Sequence, residues 1–132
     1  MYDKYMVLRE DIQSVIENGV GTGFEVKLRI PYYRGVFLSL VEDVTVTFNS
    51  TVFTRDQLKF SVGGDTYTFD EMATMSTLRW EYGEKATVFV PLKGGIPLGL
   101  HRIEVSVTIR VSYMGGGRPF TVVLENVSPM GG

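Results

Sequence analysis

The sequence of 132 residues contains no cysteine and only one histidine. Without cysteine, disulfide bonds and thiolate metal sites are excluded, and one histidine does not favour a metal site built by this chain alone. No apolar run approaches the roughly 20 residues of a membrane-spanning helix. The net charge is −2 and the basic residues are scattered, so no basic patch is present to bind nucleic acid.

The remaining composition is that of an ordinary globular protein, with 44% hydrophobic and 12% aromatic residues. The length fits one domain, so we expect residues 1–132 to form a single domain with its own core. Residues 1–5 lack the basic-then-apolar arrangement of a signal peptide. Together with the missing cysteines, this favours a cytoplasmic location.

Alternation of apolar and polar residues dominates the chain, with its longest example between Ile103 and Tyr113. A period of two over that length predicts a strand with one face on a core. Glycine- and asparagine-containing turns separate such segments, and only residues 70–75 could form a short helix, with Asp70 as its cap. We therefore predict an all-β fold: an antiparallel two-sheet sandwich, jelly-roll or immunoglobulin-like, of eight or nine strands.

Three segments, residues 36–41, 87–92 and 120–124, are apolar or nearly so at both parities. The outer face of an antiparallel sandwich normally meets water, so something should cover such strands. The chain's own loops and N-terminal arm are one explanation. The other is a partner protein, because contiguous apolar surface usually marks an interface.

Candidates for acid–base chemistry are few. His101 shares the parity of the inward-facing Ile103, which favours a ring packed at the rim and bonded to a turn carbonyl over a role as acid, base or ligand. Glu81 lies between Trp80 and Tyr82, whose rings could desolvate it, although a solvated or ion-paired role is the favoured alternative. No Gly-x-Ser-x-Gly motif supports a nucleophile, so no catalytic residue is assigned.

The glycines at positions 19, 21 and 23 superficially suggest a phosphate-binding loop. Such a loop should follow a strand and open a helix, whereas an alternating segment follows here. This segment is therefore interpreted as a hairpin turn.

Two segments combine aromatic and basic residues: Pro31-Tyr32-Tyr33-Arg34-Gly35 and Arg79-Trp80-Glu81-Tyr82. Tyr, Trp and Arg are enriched at the energetic centres of interfaces, and aromatic faces also stack on sugar rings. Three interpretations stay open: Trp80 and one tyrosine belong to the core while Arg34 caps a turn, or the segments contact a partner, or they contact a sugar directly.

These segments also carry a family resemblance. The motifs, running in order from about residue 24 to 114, are Ile30-Pro31-Tyr32-Tyr33-Arg34-Gly35, Leu38-Ser39, Tyr67-Thr68-Phe69-Asp70-Glu71, Arg79-Trp80-Glu81-Tyr82-Gly83, Gly94-Gly95-Ile96, Gly99-Leu100-His101 and Arg110-Val111-Ser112-Tyr113-Met114. As a set they resemble the small β subunit of bacterial C-glycoside deglycosidases.

The resemblance implies a heteromeric enzyme of gut or soil bacteria. Its large subunit is a sugar-isomerase-like barrel that holds a divalent metal, typically manganese, and its small subunit is a β-sandwich without a cofactor of its own. The implied substrate is a 3-oxo-C-glucoside of a flavonoid or related phenol. The 3-ketone acidifies the C2 proton, so a base can remove it and the aglycone can leave by elimination, with the metal stabilising the enolate.

We therefore expect this chain to be an accessory, non-catalytic subunit of a carbon–carbon lyase, without a complete active site. Tyr32, Tyr33, Arg34 and Trp80 are the expected contacts with the partner or substrate, with His101 a further candidate near the substrate. The main alternative is a stand-alone carbohydrate-binding module that stacks sugar on Tyr32, Tyr33 and Trp80. A self-assembling sandwich protein is a third possibility.

Overall fold

The computed structural model describes residues 6–30, 35–110 and 117–128 of the chain. In this part of the chain none of the helices is long and apolar enough to cross a membrane. Eleven strands are present within it: β1 (Ile12–Glu17), β2 (Val20–Leu28), β3 (Val36–Phe37), β4 (Val41–Phe48), β5 (Thr51–Phe53), β6 (Lys59–Val62), β7 (Asp65–Tyr67), β8 (Arg79–Trp80), β9 (Ala86–Pro91), β10 (His101–Arg110) and β11 (Gly117–Val127). The same residues contain one α-helix, α1 (Phe69–Met72), and three 3₁₀ turns, at Arg9–Asp11, Leu38–Leu40 and Arg55–Gln57.

Two antiparallel sheets form the body of the molecule. The first has the order β1-β2-β9-β6-β7, the second has the order β11-β10-β4-β5, and β3 pairs with β8 in a small third sheet. The prediction of an antiparallel β-sandwich is confirmed. The strands number eleven rather than eight or nine because β3 and β8 have only two residues each and β5 and β7 only three, which is too few to show alternation.

The core lies between the inward faces of the two large sheets. On β10 the side chains of Ile103, Val105, Val107 and Ile109 are fully buried, as their alternation predicts. The Phe24 ring of the first sheet lies 5.6 Å from the Phe48 ring of the second, measured between centroids. Burying each such side chain contributes roughly 1.5–3 kcal/mol, so this alternation supplies most of the driving force for folding.

The turn between β1 and β2 lies where the sequence predicts one, whereas the predicted turn at residues 115–117 lies largely outside the described residues. Asn18 and Gly19 both have positive φ, 52° and 79°, which gives the tight hairpin between β1 and β2. The interpretation of residues 19–23 as a hairpin turn holds only for Gly19, because the turn is Asn18–Gly19 and residues 20–23 belong to β2. The short helix at residues 69–72 is also present, but its cap is Thr68, whose hydroxyl accepts from the Glu71 amide, so the expected Asp70 cap is corrected.

The three segments that are apolar at both parities behave differently from one another. Residues 36–41 are not one strand: β3 ends at Phe37, the 3₁₀ turn Leu38–Leu40 follows, and β4 begins at Val41. β9 is central in its sheet, with its outward Phe89 half-buried. In β11, Phe120 and Val122 are buried and Val123 is exposed. The chain's own packing therefore covers most of this apolar surface.

Candidate functional site

Trp80 is fully buried. Its indole Nε1 donates to the Glu84 carbonyl at 2.8 Å, and its ring meets the Phe60 ring edge-on at 5.5 Å between centroids. The ring has no exposed surface with which to contact a partner or stack on a sugar. The structure therefore supports the core interpretation of Trp80 over the contact expected for it.

The residues around Trp80 form a surface that we call the aromatic platform: Phe37, Leu78, Arg79 and Tyr82. β8 pairs Trp80 with Val36 and Arg79 with Phe37, so alternation turns Trp80 inward and Arg79 outward. The Arg79 guanidinium lies over the Phe37 ring, 4.7 Å from its centroid. Tyr82 and Leu78 are exposed, with 61% and 45% of their surface accessible.

Tyr32, Tyr33 and Arg34 lie outside the described residues, immediately before the platform. Gly35, the first described residue after this segment, packs closely against Glu81 and Trp80. A Cβ at this position would lie 2.5 Å from Glu81 Oε1 and 2.9 Å from the Trp80 carbonyl oxygen. Segment 31–34 is therefore joined to the main body beside Glu81. That carboxylate accepts from Arg79 Nε at 3.3 Å and is exposed, which matches the ion-paired alternative for Glu81 rather than a desolvated acid.

His101, the first residue of β10, lies at the opposite end of the sandwich and is half-buried. Its Nε2 is 2.9 Å from the Pro97 carbonyl oxygen, its Nδ1 is 3.2 Å from Asn49 Nδ2, and its ring lies against that of Phe48. A carbonyl only accepts, so these contacts assign the proton to Nε2, and Nδ1 then accepts from the Asn49 amide. Both ring nitrogens are engaged, which supports the structural interpretation of His101.

Asp11 is the one charged side chain that is buried among the described residues, and it joins three segments. Its carboxylate accepts from the Leu8 amide at 2.9 Å, from Arg29 Nη1 at 2.5 Å and from Lys85 Nζ at 3.2 Å. Burial by itself raises the pKa of Asp11, but these hydrogen bonds outweigh burial and hold the pKa below its usual value. This cluster connects the first 3₁₀ turn to the end of β2 and the start of β9. Its role is therefore to stabilise the fold.

A pocket of about 410 Å³ lies at the start of β4. Sequence reasoning did not find this pocket, because its walls come from four separate segments: Ser39, Leu40, Val41, Glu42, Arg55, Phe69, Ala73 and Arg110. Arg110 is engaged with Glu42 at 2.7 Å, and Arg55 Nη2 is 3.8 Å from Asp70. The pocket contains none of the predicted site residues.

Metal-binding groups were sought across the same residues. In residues 6–30, 35–110 and 117–128, no three His, Cys, Asp or Glu side chains come together in a way that could hold a metal ion. The described part of this chain therefore offers no suitable set of ligands for the divalent metal, which the resemblance assigns to the large subunit.

Comparison with known proteins gives a consistent result. A family model described as C-glycoside deglycosidase beta subunit matches residues 2–113. A C-glycoside deglycosidase beta subunit from Eubacterium cellulosolvens is 35% identical over 112 residues, which cover 80% of this chain and 76% of the relative. One from Arthrobacter globiformis is also 35% identical, over 94 residues and 70% of each chain.

A third relative, named 3'-dehydrocarminate deglycosidase beta subunit and found in a Microbacterium species, is 27% identical over 112 residues. These cover 83% of this chain and 81% of that protein. The family model spans well over half of the chain, and the two relatives at 35% identity each align with at least 70% of it. The chain therefore belongs to the family of C-glycoside deglycosidase beta subunits.

Proposed function

We propose that this chain is the accessory, non-catalytic subunit of a heteromeric C-glycoside deglycosidase and that it acts by binding a larger catalytic subunit. The observation that carries the proposal is the family match over residues 2–113. Two features of the structure support it. His101 uses both ring nitrogens to hold turns together, and Glu81 is exposed and paired with Arg79, so both acid–base candidates are engaged structurally.

The proposed reaction is an elimination on the larger subunit. A base removes the C2 proton of a 3-oxo-C-glucoside, and the electron pair of that C–H bond forms the C1–C2 double bond. The bond from C1 to the aglycone carbon breaks, and this carbon leaves with the electron pair and takes up a proton. The name of the Microbacterium relative, 3'-dehydrocarminate deglycosidase beta subunit, supports an oxidised glycoside as the class of substrate.

In this proposal the larger subunit is a barrel that also holds a divalent metal, with manganese as the expected ion. The metal would stabilise the negative charge that develops on the substrate oxygen. The described part of this chain has no group of side chains suited to hold such an ion. The aglycone is proposed to be a flavonoid or related phenol, and the complex is proposed to be cytoplasmic.

Tyr32, Tyr33 and Arg34 are proposed to contact the larger subunit at or near the mouth of its active site. Their segment joins the main body beside the aromatic platform, where Tyr82 and the Arg79–Phe37 pair are also exposed. Aromatic residues and arginine dominate binding energy at interface centres. Trp80 supports this surface from below, since its buried ring fixes the strand that presents Arg79.

The proposal is tested by purifying this chain, the larger subunit and their co-expressed complex, and assaying each on a 3-oxo-C-glucoside with manganese. We expect turnover from the complex and none from this chain. Turnover by the purified chain without a partner would contradict the accessory role. Failure of the two chains to co-purify would contradict the proposed partnership.

The contact residues are tested by the double substitution Tyr32→Ala, Tyr33→Ala. We expect at least a tenfold loss of kcat or of affinity for the larger subunit, because interface aromatics typically contribute about 2 kcal/mol each. Val52→Ala, at an exposed position on β5, is the control and should leave both quantities unchanged. Equal behaviour of the two variants would remove Tyr32 and Tyr33 from the interface.

A further inference from the structure

Four aliphatic side chains are highly exposed at the end of the sandwich that contains His101. Ile16 and Val20 flank the hairpin turn between β1 and β2, with 66% and 62% of their surface accessible. Leu98 and Leu100 lie on the loop between β9 and β10, with 90% and 67% accessible. We call these four residues the aliphatic end. Because these four side chains are exposed, they do not contribute to the core of the chain.

The two segments of the aliphatic end are held together by hydrogen bonds. The Gly94 amide donates to the Gly21 carbonyl at 2.9 Å, and the Ile96 amide donates to Ser14 Oγ at 3.1 Å. A Cβ at Gly21 would lie 2.5 Å from the Gly94 carbonyl carbon, so the two backbones approach more closely than side chains would allow. The apolar surface is therefore presented by a preorganised pair of segments.

His101 fixes the far end of the same loop. Its Nε2 hydrogen bond to the Pro97 carbonyl closes the turn that contains Leu98 and Gly99. Its Nδ1 contact with Asn49 ties this turn to the second sheet. A rigid loop loses little conformational freedom on association, so its apolar contacts translate more fully into affinity.

The size and charge of the aliphatic end limit what it can bind. Leu98 and Leu100 together expose on the order of 300 Å², which is within the range of apolar patches that mark interaction sites on soluble proteins. Ile16 and Val20 border this loop but point to opposite faces of the hairpin, because Ile16 pairs with Gly21 and Val20 with Glu17. A standard interface buries about 800 Å² per partner, so the patch would form its apolar centre. Residues 94–100 carry no charge, whereas the hairpin contributes Glu17 beside Val20, so the surface that matches the loop of Leu98 and Leu100 should be uncharged and aliphatic.

We propose that the aliphatic end docks into an uncharged apolar depression on the larger subunit and anchors this chain to it. The inference rests on the proposed function and adds a second contact, separate from segment 31–34. β2 runs nine residues from Val20 at the aliphatic end to Leu28, which pairs with Ala86 near the platform. At 3.3 Å per residue, the two contacts lie roughly 25 Å apart.

The larger subunit is the occupant that the relatives favour. All three reported relatives are named beta subunits, a term that denotes one kind of chain in an assembly with a different kind. Such assemblies bury an apolar centre between unlike chains. Because the anchor lies away from the platform, its loss should weaken binding without changing the rate of the fully assembled enzyme.

The test is the double substitution Leu98→Asp, Leu100→Asp, measured by titrating the larger subunit with this chain and following activity. We expect the concentration for half-maximal activity to rise about 100-fold, because two charges would enter an apolar contact. The maximal rate at saturation should stay within about twofold, since only binding is weakened. Thermal unfolding should be nearly unchanged, because both side chains are already exposed in the isolated chain.

Val123→Asp is the matched control, since Val123 is an exposed aliphatic residue on the outer face of β11, outside the aliphatic end. This variant should bind the larger subunit like the wild type. If the folded double variant also binds like the wild type, the inference is overturned while the proposed function stands. If the wild-type chain forms no complex at all, both fail.

A second copy of this chain is the competing occupant. In that case the wild-type chain alone would run as a dimer in light scattering, the double variant would run as a monomer, and both would bind the larger subunit equally. That combination overturns the inference. A monomeric wild type whose affinity for the larger subunit depends on Leu98 and Leu100 supports it.

Discussion

The ring of Phe89 lies over Gly23 on the outer face of the five-stranded sheet. A Cβ at Gly23 would lie 2.9 Å from Phe89 Cζ and 2.1 Å from the Val90 carbonyl oxygen, so only glycine fits beneath the ring. Phe89 is half-buried as a result, although its parity points it away from the core. Intramolecular packing of this kind covers part of the outward aromatic residue of β9.

The first prediction concerns this contact. Gly23→Ala should destabilise the chain by about 2–3 kcal/mol, because the added methyl group must displace the Phe89 ring and the β9 backbone. Gly19→Ala in the same hairpin is the control: no atom lies within 4 Å of its Cβ, but its φ of 79° gives a strain of about 1 kcal/mol. Urea unfolding of both variants measures the difference, and a Gly23→Ala cost no larger than that of Gly19→Ala would contradict it.

The comparison of sequence and structure separates what alternation can predict from what it cannot. The ten residues of β10 alternate without interruption, so the strand and its buried face follow from the sequence alone. Phe89 and Gly23 lie 66 residues apart, and their contact depends on the register between β2 and β9. Alternation does not specify that register, so the apolar outer face of β9 could equally indicate a partner.

The site was harder to predict for a related reason. β8 has only two residues, so no alternation could show that Trp80 turns inward while Arg79 turns outward. The cluster of Asp11, Arg29 and Lys85 draws on three segments distant in sequence. The quoted family motifs identified the family, but they contain no information on which of their side chains are exposed.

The second prediction concerns Asp11. Asp11→Asn should destabilise the chain by about 2 kcal/mol at pH 7, because Arg29 and Lys85 lose their buried carboxylate while keeping partial contact with water. The folded-state pKa of Asp11 lies below the unfolded value of about 3.9, so its stabilisation is complete above that pH. It is lost as the pH falls through the unfolded and then the folded pKa.

Urea unfolding at pH 7 and pH 3 checks this pH dependence. The difference in the free energy of unfolding between wild type and Asp11→Asn should be smaller at pH 3 than at pH 7. Asp70→Asn is the control: Asp70 is 89% exposed and 3.8 Å from Arg55, so its effect should stay within about 0.5 kcal/mol. A gap for Asp11→Asn that is as large at pH 3 as at pH 7 would show that the carboxylate charge is not the cause.

The third prediction distinguishes support by Trp80 from contact by Trp80. Trp80→Phe should cost about 2 kcal/mol of stability, because the smaller ring leaves space beside Phe60 and the Glu84 carbonyl loses its donor. Affinity of the folded variant for the larger subunit should be unchanged. Tyr82→Phe, at an exposed position, should leave thermal unfolding unaltered. Weaker binding by Trp80→Phe at unchanged stability would restore a contact role.

The last prediction concerns His101. His101→Ala should destabilise the chain by about 1–2 kcal/mol, because it removes two hydrogen bonds and the contact with the Phe48 ring. Asn49→Ala should have a similar cost, and a double-mutant cycle should show coupling of about 1 kcal/mol between the two residues.

Thermal unfolding measures the stabilities of the His101 and Asn49 variants, and kcat of the complex at a saturating concentration of this chain measures the effect on the reaction. A general acid or base contributes about 10²–10⁴-fold to rate, so a structural histidine should leave kcat within about twofold. A fall of 100-fold with little change in stability would instead place His101 at the reacting atoms.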